Sequence, residues 1–283
     1  MIYKNEENVL QEKWCGEVLF LQYPLLQKTE LVHHGFSTRI GGVSKDYLGT
    51  MNLSFTRGDD EEAVRENFRR MAKAIGVEED SFVFSQQTHT TNVRKVTEED
   101  RGKGLLYPLD YQDVDGLITN DPGLCLSTFY ADCVPLYFVD PVHKAIGLSH
   151  SGWRGTVSKI GKVTLKMMKE EYGTDPTDVI AAIGPSICQT CYEVSEDVIE
   201  QFQCAFSSEH WDELYYKKEN EKYQLNLWKA NEIVMLEAGV RRENLAVTNV
   251  CTCCNSELLF SHRASHGKRG NLAAFLALKD KEE

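Results

Sequence analysis

The sequence predicts a mixed α/β fold, α+β in the sense that a mixed sheet is assembled from distant segments. Three observations predict it. Short apolar runs of strand length alternate with amphipathic helical stretches along the chain. The 283 residues are 42% hydrophobic and 26% charged, globular proportions with ample material for a core. No repeat, low-complexity segment or long linker interrupts the pattern, so residues 1–283 read as a single domain.

Taken in order, Asp59-Asp60 caps a helix that runs to Ile75, with Val64, Phe68, Met71 and Ile75 on one face and Gly76 as its stop. Apolar runs over 82–84, 92–96, 116–119, 124–129, 134–139 and 145–149 read as strands. A helix over 156–172 follows, its buried stripe made of Val157, Ile160, Thr164 and Met168. Residues 179–183 read as a strand ended by Gly184-Pro185, 195–206 and 228–238 as helices, and 246–250 as a strand leading into a cysteine cluster.

Charge and counting exclude several classes. Thirty-one Lys and Arg against 43 Asp and Glu leave −12, which argues against a nucleic-acid binder. No run of about 18 apolar residues occurs, so no membrane span is expected. Met1-Ile2-Tyr3-Lys4-Asn5-Glu6-Glu7 carries charge where a signal peptide needs an apolar stretch, and the expectation is a cytoplasmic protein. Nine cysteines in such a compartment read as free thiols or metal ligands rather than a disulfide framework. Eight histidines with no H-x-H pair disfavour multicopper chemistry, which relies on many imidazoles. A cytidine-type zinc deaminase is excluded because no His is followed two residues on by Glu.

Four segments carry candidate chemistry. The 145–149 strand delivers His150 at its end, and Ser151-Gly152-Trp153-Arg154-Gly155-Thr156 then feeds a helix whose start, with Arg154 and Thr156, suits an anion such as phosphate; a tight turn with a solvated Arg is the plainer account. Asp132-Cys133 lies between two strands, where Cys133 is a core thiol, a metal thiolate or a nucleophile paired with His150. Gln87-Thr88-His89-Thr90 places an imidazole after a strand, where a satisfied polar group is the commoner role. Arg39, before Gly41-Gly42 and close to Asn52, is a turn arginine or a second anion contact. The spacing of His89, Cys133 and His150 matches no local zinc signature, so only a fold brings them together. Cys188-Gln189-Thr190-Cys191 and Cys251-Thr252-Cys253-Cys254 offer ligands for a closed structural zinc site, but the second reads as wrongly spaced for a zinc ribbon and the site is disfavoured.

Together, His34-Gly35-Phe36-Ser37-Thr38-Arg39, Gly41-Gly42-Val43-Ser44, Asn52-Leu53-Ser54, Gln87-Thr88-His89, Asp115-Gly116-Leu117-Ile118-Thr119, Ala131-Asp132-Cys133-Val134-Pro135-Leu136, His150-Ser151-Gly152-Trp153-Arg154-Gly155-Thr156, Ile183-Gly184-Pro185, Cys191-Tyr192-Glu193-Val194 and Phe260-Ser261-His262-Arg263 resemble the YfiH/YlmD family, once called the laccase-domain or polyphenol oxidase family, and its YlmD branch most of all. Thr88 and Thr90 stand where relatives often carry Val and Gly, and Arg154 where some carry Lys. The resemblance implies a YfiH/cytotoxic-necrotizing-factor-like fold and a zinc ion held by His89, Cys133 and His150. It implies phosphorolysis of adenosine, inosine and methylthioadenosine, with deamination of adenosine, so the expected partners are purine nucleosides and phosphate.

Three protein ligands leave a tetrahedral zinc one open position, as catalytic sites do. On this reading Asp132 is the nearest acid to move a proton, and Arg39, Asn52, Gln87, Arg154 and Thr156 contact substrate or phosphate. Zinc is preferred over copper. The competing class, also kept alive by the family's reported link to peptidoglycan precursor editing, is a cysteine hydrolase with Cys133 as nucleophile and His150 as base. A metal-storing or scaffold role is a third reading. Nucleoside preference and oligomeric state stay open.

Overall fold

The computed structural model describes residues 1–280. The first half holds β1 (Gln11–Cys15), β2 (Val18–Gln22), the single-turn α1 (Pro24–Gln27), β3 (Val32–Ser37), α2 (Glu61–Ile75), β4 (Phe82–Phe84), β5 (Val93–Lys95), β6 (Gly116–Thr119) and β7 (Cys125–Tyr130). The centre adds β8 (Val134–Asp140), β9 (Ala145–Ser151), α3 (Trp153–Val157), α4 (Ile160–Tyr172) and β10 (Ile180–Ile183). The last part adds β11 (Glu193–Val194), α5 (Glu196–Ala205), the single-turn α6 (Trp211–Leu214), β12 (Tyr215–Lys217), β13 (Tyr223–Leu225), α7 (Leu227–Glu237), β14 (Leu245–Val247) and β15 (Leu272–Leu278).

Two six-stranded mixed sheets, ordered β1-β2-β3-β15-β7-β4 and β14-β10-β8-β9-β6-β5, pack face to face. The core between them takes Phe36, Leu126 and Leu276 from the first sheet and Leu117, Tyr137 and Leu148 from the second. Helix α2 covers the outer face of the first sheet; α4, α5 and α7, with the small sheet β11-β13-β12, cover that of the second. The result is a four-layer α/β/β/α arrangement. Among the described residues no helix is long and apolar enough to cross a membrane.

Helix α2 follows its sequence signals. The Asp60 carboxylate accepts from Ala63 N–H at 3.0 Å, a cap whose loss costs about 1 kcal/mol. Gly76 ends the helix with φ 82°, a left-handed conformation that suits glycine. The expected face, Val64, Phe68, Met71 and Ile75, is buried, and Phe68 packs 4.9 Å from Phe84 between ring centroids. The buried Asn67 amide donates to Ser44 Oγ and Asn52 O and accepts from Val43 N–H, fixing the loop between β3 and α2.

One difference from the sequence reading and one strand without an assignment in it bear on the site. The helix expected over 156–172 is broken: α3 starts at Trp153 with Gly152 as its cap, and Lys159, at φ 57°, separates it from α4. Strand β15, Leu-Ala-Ala-Phe-Leu-Ala-Leu, has helix-forming residues but lies between β3 and β7, every residue buried. Its even positions face the central core and its odd positions the α2 layer, so tertiary burial overrides local propensity.

Candidate metal centre

The fold brings the three separated ligand candidates together. Strand β9 pairs with β8 so that His150 lies opposite Pro135. That register puts the imidazole beside the tight turn from β7 to β8, where Asp132, at φ 95°, turns the chain and presents Cys133. His89 comes from the loop between β4 and β5, also on left-handed backbone at φ 68°. One ligand atom from each of His89, Cys133 and His150 lies within 4.8 Å of the other two. Cys133 Sγ is 3.9 Å from His89 Nε2, and the two imidazoles stand edge to face at 4.9 Å. His150 is buried, Cys133 half-buried and His89 exposed, so the group opens toward solvent on one side.

Asp115, the residue before β6, organises this group. His150 Nδ1–H donates to Asp115 Oδ1 at 2.8 Å, and His89 N–H donates to the same oxygen at 3.1 Å. Asp115 Oδ2 accepts from the N–H groups of Thr88 and Thr90 and from the Thr90 hydroxyl. The carboxylate thus holds the unusual backbone at His89 and fixes the His150 tautomer, leaving Nε2 for a ligand. Burial would raise the Asp115 pKa, but the His150 hydrogen bond and the surrounding donors outweigh it and pull it down to about 2. Burial likewise opposes ionisation of Cys133, yet the adjacent His150 and His89 imidazoles bring the thiol down to about 6. Burial would lower the His150 pKa, but the Cys133 thiolate and the Asp115 carboxylate together outweigh it and raise it to about 9.

These residues fit a zinc ion. Two imidazoles and a thiolate are a zinc donor set with one position left open, and a carboxylate behind one histidine is the usual outer support. The surroundings are shaped for the cluster as well. A Cβ on Gly152 would lie 2.6 Å from His89 Cδ2 and 3.4 Å from Cys133 Sγ, so the strand-to-helix turn needs a residue without a side chain.

The three ligands line a cleft of about 630 Å³ whose walls include Phe55, Phe129, Tyr130 and Leu109. Arg57 and Arg269 line the same cleft, and the Nε of each is buried without a hydrogen-bond partner. Burial and the neighbouring Arg57 charge lower the Arg269 pKa to about 10. Sequence reasoning passed over Asp115, Arg57 and Arg269. Asp115-Gly116 was visible only as part of a motif, and neither arginine has a local pattern to mark it.

The other expected contacts hold the frame. Arg39 donates to Gly49 O and Ser256 O and stacks on Phe260, and it does not line the cleft. The buried Asn52 donates to Asp59 and accepts from Asn271 N–H. Gln87 does line the cleft, but its amide bridges Phe129 N–H and Phe129 O at 2.7 Å each. Arg154 is exposed, stacks on Trp153 at 4.3 Å and lies outside the cleft lining. Thr156 lies inside α3 rather than at a helix start, and its N–H and hydroxyl both donate to Gly152 O. Asp132 accepts at Oδ1 from Thr252 Oγ1 and at Oδ2 from Arg263 N–H, both at 2.7 Å, and is outside the cleft lining.

The cysteine clusters depart from expectation. The ligand atoms of Cys188, Cys191, Cys251 and Cys254 lie within 4.8 Å of one another. The second cluster does contain a C-x-x-C, Cys251 to Cys254, once Cys253 is read as an intervening residue.

A family model described as "Multi-copper polyphenol oxidoreductase laccase" matches residues 33–279. "Purine nucleoside phosphorylase YlmD" of Bacillus subtilis is 35% identical over 255 residues, covering 90% of this chain and 91% of that protein. The crystal structure of YlmD from Geobacillus stearothermophilus superposes with a TM-score of 0.88 at 32% identity, covering 97% of this chain and all of that one. The crystal structure of the Bacillus licheniformis hypothetical protein YfiH gives the same TM-score and identity, over 96% of this chain and all of that one.

Proposed function

This chain belongs to the family described as multi-copper polyphenol oxidoreductase laccase, which includes the YfiH and YlmD proteins, and on that premise we propose that it is a zinc-dependent purine nucleoside phosphorylase. His89, Cys133 and His150 would hold the metal. Bound there, zinc supplies Lewis acidity and an open coordination position. Copper oxidase chemistry fits less well: the two candidate metal clusters among the described residues contain only two imidazoles between them.

The observation that carries the reading is the pair of unpartnered buried arginine Nε groups, on Arg57 and Arg269, in the same cleft as the ligand trio. A buried guanidinium N–H without a partner costs free energy until an anion arrives, and phosphate is a fitting acceptor for it. Arg57 and Arg269 hold phosphate, while Phe55, Phe129 and Tyr130 form an apolar wall for a purine ring. Arg39, Asn52, Gln87 and Thr156 act by fixing the loops around the cleft, whereas the exposed Arg154 only stacks on its neighbour Trp153. Adenosine, inosine and methylthioadenosine are the proposed substrates, and adenosine deamination a second activity of the same cleft. Because Asp132 lies outside the cleft lining and its oxygens accept from Thr252 and Arg263, its part is to hold the Cys133 turn rather than to carry a proton. A cytoplasmic setting accords with the chain's free cysteines.

The test is chelation followed by zinc readdition, assayed as release of ribose 1-phosphate from adenosine plus phosphate. Activity should fall to background and return with zinc; full activity in stripped protein overturns the reading. A cysteine hydrolase has its own supporting observation, because Cys133, His150 and Asp115 follow the order of a nucleophile, base and orienting acid. Mass spectrometry after substrate addition separates the two, since only the hydrolase forms a thioester on Cys133.

A further inference from the structure

We propose that Cys188, Cys191, Cys251 and Cys254 form a second, structural zinc site with four thiolate ligands, separate from the cleft. This inference does not rest on the proposed activity.

The fold explains why the two C-x-x-C segments meet. Strands β10 and β14 are parallel neighbours, paired from Ala181 with Leu245 to Ile183 with Val247. Their loops leave the same sheet end, and a parallel bridge between Ser186 and Cys251 extends the pairing. Cys188 therefore comes beside Cys251, and Cys191 beside Cys254.

The sulfur geometry suits a tetrahedral ion. All four ligand atoms lie within 4.8 Å of one another, with Cys191 Sγ and Cys254 Sγ 3.5 Å apart. Zinc–sulfur bonds of about 2.3 Å require sulfurs about 3.8 Å apart, so small side-chain shifts complete the tetrahedron. All four cysteines are free rather than disulfide-bonded.

The surroundings favour thiolates. The N–H groups of Cys188 and Cys254 both point at Cys251 Sγ, at 3.2 and 3.4 Å. The Thr190 hydroxyl lies 3.2 Å from Cys188 Sγ. The Lys4 side chain lies beside Cys254, placing a cation next to a centre whose four thiolates would leave a net negative charge around zinc. Cys253, between the ligands of one pair, is not part of the group.

Four protein ligands fill a tetrahedron and leave no position for substrate, which makes the site structural. None of the four cysteines lines the cleft. The site nevertheless borders the first one. Thr252, inside the second C-x-x-C, donates to Asp132 Oδ1, and Ile187 N–H, next to Cys188, donates to Asp132 O at 3.0 Å. Asp132 precedes Cys133, so an ion between the two loops stiffens the turn that presents one ligand of the first centre.

The experiment is elemental analysis of the purified full-length protein, wild type and variants, kept under reducing conditions. We expect two zinc ions per chain in the wild type, one in Cys191→Ser/Cys254→Ser and one in His89→Ala/His150→Ala. A single metal per chain in the wild type, lost only with the histidine pair, overturns the proposal; so does iron in place of zinc at the cysteine site. If the cysteine double variant fails to fold, alkylation of the wild type decides. Cys188, Cys191, Cys251 and Cys254 should resist iodoacetamide with zinc bound and become reactive, as a set of four, after chelation. Alkylation at equal rates before and after chelation, or a native Cys191–Cys254 disulfide, refutes the site.

Discussion

Asp115 Oδ1 accepts hydrogen bonds from two partners at once, His150 Nδ1–H at 2.8 Å and the backbone N–H of His89 at 3.1 Å, so one carboxylate oxygen aligns two of the three proposed ligands. Asp115→Asn keeps the size but loses the charge and part of the acceptor set. Zinc affinity at the trio should fall about 10- to 100-fold, measured by competition with a chromophoric chelator. Unchanged affinity would show that the carboxylate does not orient the ligands.

The same group sets an acid limb of stability. Its folded pKa lies below the ordinary carboxylate value of 3.8, at about 2. The associated stability is fully present above pH 3.8 and is lost as pH falls through 2, a contribution of roughly 2 kcal/mol. Urea unfolding of metal-free protein between pH 5 and 2 should show a smaller acid loss in Asp115→Asn than in wild type.

Cys133 should titrate early in metal-free protein. With His150 and His89 beside it, its alkylation rate should rise with a midpoint about pH 6. Removing the imidazole in His150→Ala should move that midpoint upward, toward or beyond the ordinary thiol value. An unmoved midpoint would mean that the thiolate is stabilised by something else.

Gly152→Ala should impair metal binding while leaving the fold intact. The added methyl meets the His89 ring at 2.6 Å, an overpacking cost of about 1–3 kcal/mol that displacing the exposed His89 relieves. Zinc retention should drop at least about tenfold by the same chelator competition. Near-normal circular dichroism should distinguish this from unfolding.

Arg57→Gln and Arg269→Gln should each raise the KM for phosphate about tenfold or more, the scale of one lost charge-assisted contact. Arg154→Ala should leave it nearly unchanged, because Arg154 stacks on Trp153 outside the cleft lining. The reverse pattern would return the anion site to the α3 turn.

Much of the fold and of the metal centre is legible in the sequence. The α2 face and caps, the strand-end position of His150 and the convergence expected of His89, Cys133 and His150 all correspond to features of the structure. What escaped depends on long-range packing. Strand β15 carries no local strand pattern, because both its faces are buried, and β1 to β3 carry no strong local alternation. Arg57 and Arg269 are separated by most of the chain and become a pair only in the cleft. At Thr156 the difference is a matter of helix start: α3 begins three residues earlier than expected, so the Thr156 N–H is already bonded to Gly152 O.

His89 lies on the passage from β4 in one sheet to β5 in the other, and Cys133 on the passage from β7 to β8. An ion gripping both, together with His150 on β9, would fasten two of the seams where the halves of the sandwich are stitched together. Loading the metal should therefore slow amide exchange in β4, β7 and β8 more than in the α5 to α7 region, making the ion a clasp against the sheets sliding apart.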